Sequence, residues 1–141
     1  MSAIVVGTDG SRGAEAAVEK VIELVRGSGV TVHLVCAFPG RSTLERIGIS
    51  ARQEPVDLRG VAADVLARAE SRFRETEFTV EKHAREGDPA DTIIDVADDQ
   101  NADLIVVGAR GATGLRRFML GSVAGKLSHS APTSLLIVRD E

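Results

Sequence analysis

The chain has 141 residues, 43% hydrophobic and 27% charged, the make-up of one soluble globular domain with a single sizeable core. Its 17 Lys plus Arg against 21 Asp plus Glu, a formal charge of −4, lack the basic footprint of a general nucleic-acid binder. No apolar run nears the ~18 residues of a membrane span, and a lone cysteine, Cys36, excludes an internal disulfide and fits a reducing compartment.

The N-terminus leads from MSA straight into Ile4-Val5-Val6. It shows neither the basic region nor the long apolar region of a secretory signal, so a cytoplasmic location is expected. AIVVGT (3–8) is the first expected strand. From Arg12 to Arg26, Ala14, Ala17, Val18, Val21, Ile22 and Val25 recur at three-and-four spacing, which predicts a helix with one apolar stripe. Ser11 is its expected N-cap and Gly27 its terminating glycine.

VTVHLVCAF (30–38) is the second strand. Residues 39–55 carry turn formers and weak periodicity, and are expected as a flexible loop beside the carboxyl edge of the sheet. A second helix is expected from about Val56 to Glu75, with Leu58, Val61, Ala62, Val65, Leu66, Ala69 and Phe73 on one face. FTVEKHA (78–84) alternates more than the other strands and suggests an edge. GDPAD (87–91) announces a third helix: Asp88 suits the cap, Pro89 the first turn and Asp91 the positive helix end. DLIVVG (103–108) and TSLLIV (133–138) complete the strands, with a helix between them from near Gly121 to before Pro132.

The first, fourth and fifth strands are apolar without alternation, the mark of parallel strands covered on both faces. The alternating order predicts a single-domain, three-layer α/β/α open sheet of five parallel strands joined by right-handed crossovers. In such a sheet, ligands sit outside the carboxyl ends of the strands where the strand order reverses.

Two strand ends carry unusual chemistry. The first strand exits through Gly7-Thr8-Asp9-Gly10-Ser11, and the fourth into GARGATGLRRFMLGSVAGKLS (108–128). A P-loop is excluded, because Gly121 to Gly125 has one intervening residue too few and Leu127 stands where the hydroxyl belongs. The dinucleotide fingerprint fails as well, because Gly108-Ala-Arg-Gly111 is Gly-x-x-Gly.

The stretch does spell Gly108-x2-Gly111-x9-Gly121-Ser122. Gly108 and Gly111 would turn the backbone sharply and aim amides into the cleft. Gly121 and Ser122 would open a helix whose free N–H groups suit an anion, with Ser122 capping it and donating its hydroxyl to phosphate. Arg110, Arg116 and Arg117 are candidate phosphate partners, Arg110 foremost. His33 is expected packed within its strand, His83 and His129 exposed, and Cys36 a small buried hydrophobe. These residues show no metal-ligand spacing.

GTDGS, GDPAD, DLIVVGARGATGLRRFMLGSVAGKL and APTSLLIV together resemble the universal stress protein family, over essentially the whole chain apart from residues 39–55. The glycine spacing matches the signature of the family's ATP-binding branch. The resemblance implies a Rossmann-like fold of the adenine nucleotide alpha hydrolase-like kind, with strand order 3-2-1-4-5 and the cleft between the first and fourth strands. It implies adenine contacts from the backbone around Ala37, apolar contact from Val107 and Val123, and phosphate and ribose held by Gly108, Gly111, Gly121 and Ser122. Asp9 is implied as a ribose contact and as the protein's ligand to a phosphate-bound Mg²⁺. A homodimer through the last strand, Thr133 to Val138, and a regulatory protein partner are implied too.

Hydrolysis needs a positioned water and charge stabilisation as the γ-phosphate departs. Neither a second strand-end acid nor a water-positioning Gln or Glu in the glycine loop is evident. Holding ATP as a stress-response regulator is therefore expected over turning it over. A weak ATPase or phosphotransferase, a cyclic-AMP module and a nucleotide-free scaffold are the other readings open from sequence.

Overall fold

Aliphatic runs set between amphipathic segments build a parallel sheet with helices on both faces. The computed structural model describes residues 1–48, 57–73, 77–111 and 119–140. The elements follow in the order β1 (Ala3–Gly7), α1 (Arg12–Val25), β2 (Thr31–Phe38), α2 (Arg41–Arg46), α3 (Leu58–Glu70), β3 (Thr79–Glu86), α4 (Pro89–Asp99), β4 (Leu104–Gly108), α5 (Ser122–Ser130) and β5 (Ser134–Val138). The 5-stranded sheet has the order β3-β2-β1-β4-β5, with every pairing parallel.

Strand side chains alternate between faces, which divides the core in two. Ile4, Val6, Val32, Leu34 and Cys36 pack with Val18 and Val21 of α1 and Leu66 of α3. Val5, Val35, Ile105 and Val107 pack with Ile93 and Val96 of α4 and Leu127 of α5. β1 is buried along its whole length, as expected for the middle strand of such a sheet.

The helix ends follow local signals. The Ser11 hydroxyl accepts from the Ala14 amide at 3.3 Å, and Asp88 accepts from the Asp91 amide at 3.0 Å, with Pro89 in the first turn. Gly27 takes φ 73° just beyond α1, a left-handed backbone that only glycine adopts at no steric cost.

The structure corrects four expectations. Part of the segment expected as a loop over 39–55 is the short helix α2, which opens at Gly40, buries none of its residues and carries an Arg41–Glu45 pair at 3.8 Å. A helix this short, with no buried face, leaves no apolar periodicity to read; residues 49–55 lie outside the described set. α3 is shorter than expected, because Asp57 caps its start by accepting from the Gly60 amide at 3.0 Å and Glu70 ends it. Val61 is 51% exposed, on the flank of that helix and off its core stripe. Phe73 is buried beyond the helix end, edge-on to Phe78 with ring centroids 5.3 Å apart.

Candidate functional site

β1 and β4 are neighbours whose chain connections leave toward opposite sides of the sheet. Outside their carboxyl ends lies a cleft of about 210 Å³. Among the described residues, the sequence-predicted site residues line it: Gly7, Thr8 and Asp9 at and after the end of β1, Ala37 from β2, Val107, Gly108, Arg110 and Gly111 at and after β4, and Gly121, Ser122 and Val123 at the start of α5. Arg116 and Arg117 fall outside the described residues.

The turn after β1 is fixed by its own side chains. The Thr8 amide donates to the Val35 carbonyl at 2.9 Å. The Thr8 hydroxyl accepts from the Gly10 amide at 3.2 Å, and Asp9 Oδ1 accepts from the Ser11 amide at 2.9 Å. One carboxylate oxygen of Asp9 is thereby given to the turn, and the side chain is held on the exposed rim of the cleft.

Several glycines are required by close packing. A Cβ at Gly108 would lie 2.5 Å from the backbone carbonyl of Gly13, and one at Gly13 would lie 2.2 Å from the Arg110 carbonyl oxygen. A Cβ at Gly111 would reach 3.0 Å from Asp9 Oδ2, so this glycine brings the loop directly against the Asp9 carboxylate. The expected row of free amides is only partly present. The Ala109 amide donates to Val138 at 2.8 Å, and the Gly121 amide donates to Ala109 at 2.7 Å.

The donors that face the problem of an anion are those of α5. Gly121 is its N-cap and no side chain caps it; Ser122, expected as a cap, is instead the first helical residue. The Gly125 amide closes the first turn onto Gly121, so the amides of Ser122, Val123 and Ala124 lack partners within the helix. They carry the positive end of the helix dipole.

Arg110 lines the cleft, and its guanidinium donates to the Asp140 carboxylate just beyond β5. That hydrogen bond is the main cause holding the Asp140 carboxyl below its usual range, with a smaller contribution from the Arg12 charge. Cys36 is buried on the opposite face of β2, and burial, followed by the Asp9 charge, pushes its thiol up.

His33 is buried as expected, but His83, expected exposed, is half-buried with its Nε2 3.0 Å from His33 Nδ1. Among the described residues no group of three His, Cys, Asp or Glu is placed to hold a metal ion. No described helix is long and apolar enough to cross a membrane.

The sequence reading missed Ser11, Ala14, Val35, Pro89, Ile93, Ala109 and Ala124 as cleft residues. Most are small or aliphatic and look like any core position. Pro89 was legible as a helix start, but not as part of the cleft.

The sequence model of the universal stress protein family matches residues 1–139. The chain belongs to the universal stress protein family. Among similar universal stress proteins, Rv1636 of Mycobacterium tuberculosis is 30% identical over 138 residues, covering 96% of this chain and 94% of the relative. The Archaeoglobus fulgidus universal stress protein, solved in complex with dAMP, has a TM-score of 0.72 at 27% identity and covers 98% of each chain. Another universal stress protein, solved in complex with cAMP, has a TM-score of 0.71 at 26% identity, covering 99% of this chain and 98% of its own.

Proposed function

We propose that this chain is a dimeric adenine-nucleotide-binding regulator that holds ATP without rapid turnover. The observation that carries the reading is the cleft at the β1–β4 switch point, which joins the Asp9 turn to the uncapped first turn of α5. Two structural neighbours, solved with dAMP and cAMP, support an adenine nucleotide as the occupant.

In this reading the backbone at Ala37 meets the adenine edge, and Val107 and Val123 give apolar contact. Asp9 meets the ribose, while Gly108, Gly111, Gly121 and Ser122 approach the phosphates. The donor set fits an anion, because the first-turn amides of α5 are not capped by any side chain. A single carboxylate also fits Mg²⁺ that arrives with phosphates, since that ion takes one or two carboxylates plus substrate oxygens. Held there by Asp9 and the nucleotide's own oxygens, Mg²⁺ would neutralise phosphate charge.

The dimer in this proposal pairs through Thr133 to Val138. β5 is the sheet's edge and keeps Leu135, Leu136 and Ile137 half-exposed, a template for a second strand. Occupancy regulates a protein partner only if that partner has different affinities for the loaded and empty states. A cytoplasmic setting belongs to the same proposal.

A second reading, a cyclic nucleotide in the same cleft, draws on the Arg110–Asp140 pair. With the guanidinium engaged there, the α5 amides suit one phosphate better than three.

Mass spectrometry of small molecules released from freshly purified protein tests the proposal. ATP near one per chain supports it, and cyclic AMP selects the second reading. No adenine nucleotide released, and no calorimetric binding at millimolar ATP with Mg²⁺, overturns both. Turnover well above background that Asp9→Ala abolishes, with ATP still bound, replaces the regulator with an enzyme.

A further inference from the structure

We propose that Asp140 sets how many phosphates the cleft prefers, by competing with the nucleotide's phosphate chain for the Arg110 guanidinium. This rests on the adenine-nucleotide reading of the cleft.

Arg110 stands between Gly108 and Gly111, beside the first turn of α5, where a phosphate chain would run. A Cβ at Gly121 would come within 3.4 Å of the Arg110 Cα, so this backbone lies directly against the N-cap of α5. The backbone around Arg110 is clamped from two sides. The preceding amide, that of Ala109, donates to Val138 at 2.8 Å, and the Arg110 carbonyl packs against Gly13. What can exchange partners is the side chain. It is paired with a carboxylate 30 residues away in sequence, in a pair whose side chains are only 23% and 18% exposed.

Such a pair is partly shielded from solvent, so losing one partner matters more than it does for a surface pair. A phosphate that engages Arg110 must displace the Asp140 carboxylate or approach it closely, and either is unfavourable for an anion. The penalty grows with phosphate charge along the chain and vanishes for a ligand without phosphate. Asp140 is thus an internal anion that tempers affinity for long phosphate chains while leaving the adenine and ribose contacts untouched. Because Asp140 lies two residues beyond Val138, the end of β5, an exchange at Arg110 is also felt at the edge strand.

Calorimetric titration of adenosine, AMP and ATP into the full chain and into Asp140→Asn, Arg110→Gln and the double variant tests this. In Asp140→Asn, ATP affinity is expected to rise about three- to tenfold, the scale of one charge-assisted hydrogen bond partly screened by solvent. AMP should gain less and adenosine nothing. In the Arg110→Gln background the Asp140→Asn gain should shrink, because the competition for the guanidinium is gone and only direct repulsion by the carboxylate is left to relieve. Equal gains for all three ligands, no gain for ATP, or a gain undiminished by Arg110→Gln would each overturn the inference and leave the adenine reading standing. Absence of binding by all three ligands to the unmodified chain would overturn the adenine reading, and this inference with it.

Discussion

Gly108 and Gly13 meet backbone to backbone, so closely that a Cβ on Gly108 would lie 2.5 Å from the Gly13 carbonyl carbon and oxygen. This contact seats the start of α1 against the end of β4 and so sets the width of the cleft. The first glycine of the Gly-x2-Gly-x9-Gly-Ser pattern is therefore a packing residue, whereas Gly111 opens toward the Asp9 carboxylate at 3.0 Å.

The two glycines should respond differently to a methyl group. Gly108→Ala presses on rigid backbone and is expected to cost about 1–3 kcal/mol, lowering Tm by roughly 4 °C per kcal/mol. Gly111→Ala meets the movable end of a side chain, so its stability should change less while nucleotide affinity falls. Thermal denaturation of both variants, with ATP titration of Gly111→Ala, checks the pair. Equal melting losses would contradict the assignment.

His33 and His83 give the fold a defined acid sensitivity. Their ring nitrogens lie 3.0 Å apart, and a neutral pair supplies one donor and one acceptor. Burial is the main cause lowering both pKa values. Glu81 opposes it at both, Asp99 opposes it at His83, and the charges of His33 and Arg85 reinforce it at His83. With native values below the unfolded value of about 6.5, the unfolded chain takes up protons first. This contribution to stability is therefore complete above about pH 6.5 and is lost as the pH falls through the lowered native values. Urea midpoints from pH 7.5 down to about 5 should fall more steeply for the unmodified chain than for His83→Gln. Parallel curves would contradict this.

Asp88 ties α4 to α5. It caps α4 through the Asp91 amide at 3.0 Å, and it accepts from Lys126 of α5 at 3.1 Å, as Asp91 Oδ1 also does. Asp88→Ala should cost about 1 kcal/mol, most of it from the lost cap, because the exposed ion pair contributes little. Asp88→Asn keeps a capping oxygen and should recover most of the loss in denaturant unfolding. Failure of Asn to recover it would shift the weight to Lys126.

What was legible in the sequence was local. The unalternating runs at 4–6 and 104–107, the caps at Ser11 and Asp88 and the stop at Gly27 act within a few residues, and the structure repeats them with boundary shifts of one or two positions. The strand order and the family came through the resemblance carried by the glycine pattern. What stayed hidden was long-range. Arg110 with Asp140 and His33 with His83 are separated by 30 and 50 residues, and nothing near either partner announces the other. The purpose of Gly108 was hidden for the same reason, since only the folded chain brings Gly13 against it. Val61 shows the opposite failure, an apolar residue at nearly correct helical spacing that the packing leaves outside.

The most direct test of the account is an amide NMR titration of the isotope-labelled chain with ATP and Mg²⁺. The account predicts saturable shifts concentrated at Gly7–Ser11, Ala37, Gly108–Gly111 and Ser122–Ala124, the residues around the cleft. No saturable shifts at millimolar ATP, or shifts centred elsewhere on the fold, would contradict it.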